Sequence, residues 1–353
     1  MKIDITAIIT GMKYTPLLCR ELETFNVDEL ERAISQDASF ILRLKNGNEM
    51  AFSWWVSAKR TRSYPYARVY DTLKFVGKKV TLIPVIKDEG FDGDRDFIQW
   101  DTVSLMSLLG IYVIISYYKH AEKNLEYKHK ITEQKYDIAH VKQQISSLVS
   151  YQSDALHWNL SQAQKVPELA RLALQAYSKI SKKLKVKMHS NETAQERIQH
   201  LLIEKDAFMT LSRDKAKSAQ QRERLTIHST EKLTGVKGTL TINNYLGGSY
   251  YFTADEAELY KNDIYIVEGK HTKENRLPSL GDIKDGLLKM ILNTNLSDVK
   301  VNGTYYNPIP VLKLTTGSGF DMHSLAYMSV VNMLKKEAKI NNFRLKINEK
   351  IIS

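Results

Sequence analysis

Asp255 stands thirteen residues before Glu268-Gly269-Lys270, and the text between them reads as two short strands. If Lys261-Asn262 forms a two-residue hairpin turn, with Asn supplying the positive φ such turns need, Tyr260 pairs with Asp263 and Leu259 with Ile264. Ala257 then meets Ile266 and Asp255 meets Glu268. One face carries the two apolar pairs, the two carboxylates and, just beyond, Lys270. The other carries Glu256, Glu258, Tyr260, Asp263 and Tyr265 and is expected to face solvent. Directly opposed residues hold their Cβ atoms about 4.5–5.5 Å apart, so two carboxylates there repel unless something neutralises them. A divalent cation does so, and two carboxylates completed by waters and phosphate oxygens suit Mg²⁺. Lys270 would orient the attacking water or help to deprotonate it. A metal-activated hydroxide beside a phosphodiester is the chemistry of a nuclease.

The arrangement Asp255, then Glu268-Gly269-Lys270 after the apolar run Ile264 to Val267, resembles the PD-(D/E)xK nuclease motif. Ala254 stands at the proline position. The next segment, His271-Thr272 and the stretch Asp282-Ile283-Lys284-Asp285-Gly286-Leu287-Leu288-Lys289-Met290, is similar to the region downstream of the motif in some type II restriction endonucleases. The resemblance covers about residues 230–315. It implies a restriction-endonuclease-like core with a central mixed sheet, Asp255 and Glu268 as metal ligands, and Lys270 as water-positioning base or electrophile. Some members add an acid from a preceding helix, which Glu231, Glu223 or Glu196 would supply. Lys284 and Lys289 on the next helix are candidates for a phosphate contact, with helix-surface lysine as the competing reading.

A second candidate lies far upstream. Lys59-Arg60-Thr61-Arg62-Ser63-Tyr64-Pro65-Tyr66-Ala67-Arg68 interleaves cations, hydroxyls and aromatics after a strand. Arginine reads guanine edges and enters narrow minor grooves. Lys59, Arg60, Arg62, Tyr64 and Arg68 are therefore candidate DNA contacts. The acid run Asp88 to Asp96 mimics the start of a calcium loop, but Phe97 replaces the glycine such a loop needs and Val103 the closing glutamate. It reads as a solvated loop. Thr316-Gly317-Ser318-Gly319 lacks the lysine of a phosphate loop and reads as a turn. No histidine has the spacing of a zinc ligand.

These residues need elements to hold them. Asn26 with Glu29 signals a helix start, Phe40 to Leu44 and Ala51 to Val56 read as strands around the turn Asn46-Gly47-Asn48, and Val80 to Ile86 as another. Asp101 is expected to cap a helix through Leu109, followed by a strand from Ile111 to Tyr117. From Lys119 to Leu225 the spacing becomes helical: Leu125, Ile131, Ile138 and Val141, then a helix entered at Pro167, then one from Thr193 through Leu211. After Gly235 strands return from Thr239 to Tyr245 and from Ser249 to Thr253, with Gly247-Gly248 between. A helix from Pro278 to Leu296, a strand from Ile309 to Leu314, a helix from Phe320 through Ala338 and a basic tail complete the chain.

The 353 residues are enough for two or three structural units, and a composition 43% hydrophobic and 26% charged excludes general disorder. Fifty-one Lys and Arg against 40 Asp and Glu leave a formal charge of +11, which suits a polyanionic partner. The excess is clustered: residues 51–80 hold seven basic residues against Asp71 alone, and 178–224 hold twelve against six acids. Cys19, the single cysteine, cannot form an internal disulfide and points to a reducing, cytoplasmic setting. An acid at Asp4 argues against a cleavable signal, and no apolar stretch is long enough to anchor the chain in a membrane.

The sequence thus predicts a mixed α+β protein in three parts: an N-terminal α/β region over 1–118 that recognises DNA, a helical subdomain over 119–230, and a PD-(D/E)xK core over 231–353. The expected activity is Mg²⁺-dependent hydrolysis of double-stranded DNA at a short specific site, by a homodimer where the site is symmetric. The alternatives are a non-specific or structure-specific defence or repair nuclease, and a basic DNA-binding protein without catalysis.

Overall fold

A computed structural model describes residues 3–190, 192, 194, 236–244, 249–322 and 324–353. The chain divides into two compact units: Met1–Glu21 with Arg213–Ser353, and Leu22–Ser212. The first strand, β1 (Ile3–Ile9), therefore belongs with the C-terminal third. The boundary expected at 118/119 falls inside the second unit.

The Leu22–Ser212 unit opens with β2 (Thr24–Asn26), α1 (Leu30–Gln36), β3 (Ser39–Arg43) and β4 (Glu49–Trp54). It continues through α2 (Pro65–Thr72), β5 (Lys79–Pro84), β6 (Ile86–Asp88), β7 (Arg95–Phe97), α3 (Trp100–Leu108) and β8 (Ile111–Ser116). The sheet order is β2-β3-β4-β5-β8, with only the β3–β4 hairpin antiparallel. The expected signals work locally: the Glu29 carboxylate accepts hydrogen bonds from the Asn26 N–H and Nδ2, and Gly47 takes φ +81° in the β3–β4 turn. The α3 N-cap is Gln99, not Asp101.

The stretch expected to be helical from Lys119 begins instead as a hairpin, β9 (Tyr118–Lys123) and β10 (Ile131–Tyr136). Leu125 does not seed a helix there; it sits fully exposed in the connection. Helices follow only from α4 (Ile138–Val149), through α5 (Ala155–Gln164), to α6 (Val166–Leu184), where Pro167 stands in the first turn as expected. All of the expected Thr193–Leu211 helix except Ala194, the Gly247-Gly248 turn and the acids Glu196, Glu223 and Glu231 lie outside the described residues.

The other unit continues with β11 (Val236–Asn244), β12 (Ser249–Tyr260), β13 (Asp263–His271) and α7 (Leu280–Asn293). Next come β14 (Ser297–Val301), β15 (Thr304–Tyr305), β16 (Asn307–Thr315), α8 (Leu325–Ile340), β17 (Arg344–Ile347) and β18 (Lys350–Ile351). They form a nine-stranded mixed sheet in the order β15-β14-β1-β11-β12-β13-β16-β17-β18. β11, β12 and β13 form an antiparallel meander; the chain then crosses through α7 and returns parallel to β13 as β16. The basic tail is a correction: it folds into the sheet, with β17 paired to β16 and β18 to β17 at the sheet edge. On α8, fully buried Glu337 accepts hydrogen bonds from Tyr14 Oη (2.8 Å) and the N–H groups of Leu17 and Leu18, which ties the segment after β1 to this unit. Among the described residues no helix is long and apolar enough to cross a membrane.

Candidate active site

The β12–β13 hairpin has the register the sequence implies, from Tyr260↔Asp263 through Leu259↔Ile264 to Ala257↔Ile266 and Glu256↔Val267. The positive φ of its turn falls on Lys261 (+55°), not on Asn262. At the far end the β11–β12 ladder slips: Val236 opposes Ala257 while Gly238 opposes Ala254, so Asp255 and Glu256 together face Lys237 alone. Such a bulge re-aims side chains. The Asp255 carboxylate turns to β13, where its Oδ2 accepts the Gly269 N–H at 2.8 Å.

Glu256 is not the solvent-facing residue that alternation predicts. It is buried, and its Oε1 lies 2.8 Å from Nζ of equally buried Lys313 on β16. Lys313 stands in register with Gly269, which places no side chain between them.

Glu268 is 2% exposed and each of its oxygens meets an ammonium group. Lys270 Nζ lies 3.0 Å from Oε1 and Lys289 Nζ 2.8 Å from Oε2. Lys270 also reaches Asp285 Oδ2 at 2.8 Å. The helix α7 that delivers Asp285 and Lys289 starts at Ser279, whose Oγ accepts the Asp282 N–H at 3.1 Å. The four-residue spacing of Asp285 and Lys289 sets both on one face. Gly286 between them has a packing reason: a Cβ there would lie 2.8 Å from Leu312 Cδ1 and 3.3 Å from Lys270 Cε. A space of about 10 Å³, at the lower limit for one water, lies beside Glu268, Lys289, Asn293 and Thr253.

The charges are strongly coupled. Burial, and then the Glu268 charge, push the Asp255 carboxyl up to about 7. Burial alone would raise Glu268 too, but the Lys289 and Lys270 ammonium groups outweigh it and hold this carboxyl below its ordinary range. Burial works against the Lys270 ammonium, yet Glu268 and Asp285 more than compensate and raise its pKa. Lys270 therefore stays a cation in this arrangement, which favours an orienting or charge-stabilising role over proton abstraction.

Asp255 and Glu268 fit a hard divalent cation by donor chemistry: both offer carboxylate oxygens, and burial and then the like-charged neighbour leave Asp255 short of a compensating positive charge. Among the described residues no third Asp, Glu, His or Cys joins them in a group that could hold a metal ion, so waters and substrate oxygens would supply the other ligands.

The sequence-predicted residues are thus partly assembled. Asp255, Glu268, Lys270 and Lys289 come together, while Lys284 is buried in α7 and is corrected as a phosphate contact. Asp285 is a site residue that the motif alone does not point to; its spacing to Lys289 on the helix after the motif is the signal that could have found it. The upstream loop lies in the other unit. There Arg62 pairs with Glu89 (2.8 Å), Asp96 (3.1 Å) and Asp94, and Arg68 lies 4.4 Å from the Trp54 ring centroid while donating to the carbonyls of Trp54 and Ser63. These contacts make Arg62 and Arg68 structural anchors. The acid run is accordingly an ion-paired loop and not merely a solvated one. Lys59 and Tyr64 are exposed, and Arg60 is half-buried.

Comparison of the chain with protein families, with curated proteins and with solved structures returns no match.

Proposed function

We propose that this protein is a Mg²⁺-dependent endonuclease that hydrolyses phosphodiesters of double-stranded DNA at a short specific site. The observation that carries the reading is the convergence of Asp255, Glu268 and Lys270 at the end of one hairpin, with the Gly269 N–H fixing Asp255 and Lys270 held against Glu268. A binding module has no need of two coupled carboxylates side by side, the half-buried Asp255 and the buried Glu268. Asp255 and Glu268 would hold the cation, which when bound supplies a Lewis acid and a lowered pKa for a ligated water. Lys270 and Lys289 present positive charge beside these carboxylates, where a phosphate in the act of hydrolysis gains negative charge. The formal charge of +11 draws in the polyanion. Cutting both strands of a symmetric site would use two copies of the chain.

The test is direct: purified protein, phage DNA and Mg²⁺, resolved on a gel. Discrete bands are expected. A smear would mean a non-specific nuclease, and intact DNA across metals and salt concentrations would remove the catalytic reading.

A further inference from the structure

Glu268 is buried with an ammonium on each oxygen, so any divalent cation that engages it competes with Lys270 and Lys289. Lys270 has somewhere to go. Its Nζ lies 2.8 Å from Asp285 Oδ2, marginally closer than the 3.0 Å to Glu268 Oε1. Asp285 comes from α7, not from the metal-holding hairpin, so its position does not depend on what Glu268 binds. Gly286, the next residue, leaves the gap through which the Lys270 stem passes, with a built Cβ only 3.3 Å from Cε and 3.5 Å from Cγ. Head and stem of Lys270 are therefore both fixed by the helix.

We propose that Asp285 is a positioning residue, the anionic partner that keeps the Lys270 ammonium in place when a divalent cation takes Glu268. This rests on the reading of Asp255 and Glu268 as a metal pair. Without Asp285, Lys270 keeps Glu268 as the carboxylate in direct contact with its ammonium and competes harder with the cation. A direct metal ligand would behave differently, because its loss would weaken metal binding whether or not Lys270 is present.

The experiment is a double-mutant cycle read by Mn²⁺ binding in electron paramagnetic resonance, on the full chain without DNA. Asp285→Asn is expected to weaken Mn²⁺ binding by about tenfold in the Lys270 background and to change it by less than about twofold beside Lys270→Met, a coupling of the size contacting residues show. Asp285→Glu should restore most of the affinity. Where DNA is cleaved, Asp285→Asn should lower kcat with KM for DNA unchanged. Equal loss of Mn²⁺ affinity in both backgrounds, or no loss in either, would overturn the assignment while leaving the nuclease reading standing. Absence of Mn²⁺ binding by the wild type would overturn both this inference and the metal pair. Intact coupling without any DNA cleavage would support Asp285 and reject the nuclease.

Discussion

Lys289 Nζ lies 2.8 Å from Glu268 Oε2, on the oxygen opposite the one that Lys270 holds. A lysine from the crossover helix thus shares the motif glutamate with the lysine of the motif itself. The cluster then sets the carboxylates of Asp255, Glu268 and Asp285 against two ammonium groups. With every group ionised it carries one negative charge in excess, and that excess is concentrated where Asp255 is pushed up to about 7. In the proposed metal pair, proton and cation should exclude one another at Asp255.

Metal-free stability should therefore fall as pH rises. The Asp255 carboxyl has an ordinary value of 3.8 and is held near 7 in the folded protein, so the folded state binds the extra proton between those limits. The contribution is fully present below about pH 4 and is lost as pH approaches and passes 7. In EDTA, Tm should decline from pH 5 to 8, and Asp255→Asn should flatten that decline. Mg²⁺ should raise Tm more at pH 8 than at pH 5. An identical pH slope in wild type and Asp255→Asn would show that another group governs it.

Replacing Asp255 or Glu268 with Ala should abolish cleavage while DNA binding persists or tightens, since carboxylates repel phosphate when no metal is bound. Filter binding in Ca²⁺ alongside a cleavage assay in Mg²⁺ separates the two. Retained cutting by either variant at saturating metal removes that residue from the site.

Lys270→Ala should lose roughly 10²–10³ in rate, the cost of removing one charge-stabilising donor, yet still bind metal, because a competing cation has been removed from Glu268. Titration with Mn²⁺ checks this. Metal affinity falling as far as in the Glu268 variant would mean that the ammonium supports the metal pair and does not act on substrate.

The hairpin was legible because its apolar pairs alternate from the turn outward, a signal confined to neighbouring residues. Glu256 escapes that signal for the same reason: alternation assigns it to the face opposite Leu259 but does not reveal that Lys313, two strands away in the sheet, is buried on that face too. Ile3–Ile9 pairs in parallel with Val236–Asn244, an association between distant parts of the chain that no local pattern signals. The β9–β10 hairpin is hidden in the sequence because its few apolar residues also fit a helical spacing. Arg62 and Arg68 looked available because the sequence does not show that Glu89, Asp96 and Trp54 come to meet them.

The Glu256–Lys313 pair gives a stability prediction independent of catalysis. Lys313→Met takes from the buried Glu256 carboxylate the ammonium group 2.8 Å away and should cost about 3–5 kcal/mol. Adding Glu256→Leu should recover most of that loss, because the buried charge that Lys313 balanced is then gone. Guanidinium denaturation of the three variants measures it. A double variant no more stable than Lys313→Met alone would show that packing, not the buried charge, sets the cost.

The upstream loop separates structural cations from DNA contacts. Arg62→Ala strips the guanidinium from Glu89, Asp94 and Asp96 and should destabilise the Leu22–Ser212 unit by about 1–3 kcal/mol. Binding of its folded fraction to all duplexes should keep the wild-type salt slope. Lys59 is exposed, so Lys59→Ala should leave stability unchanged. If Lys59 meets a phosphate, this variant should lower the salt slope by about one unit on cognate and scrambled duplexes alike. Binding measured across a salt series in Ca²⁺, with unfolding followed in parallel, distinguishes the two. An Arg62→Ala protein that is as stable as wild type and relaxed at one base pair would return this arginine to the DNA interface.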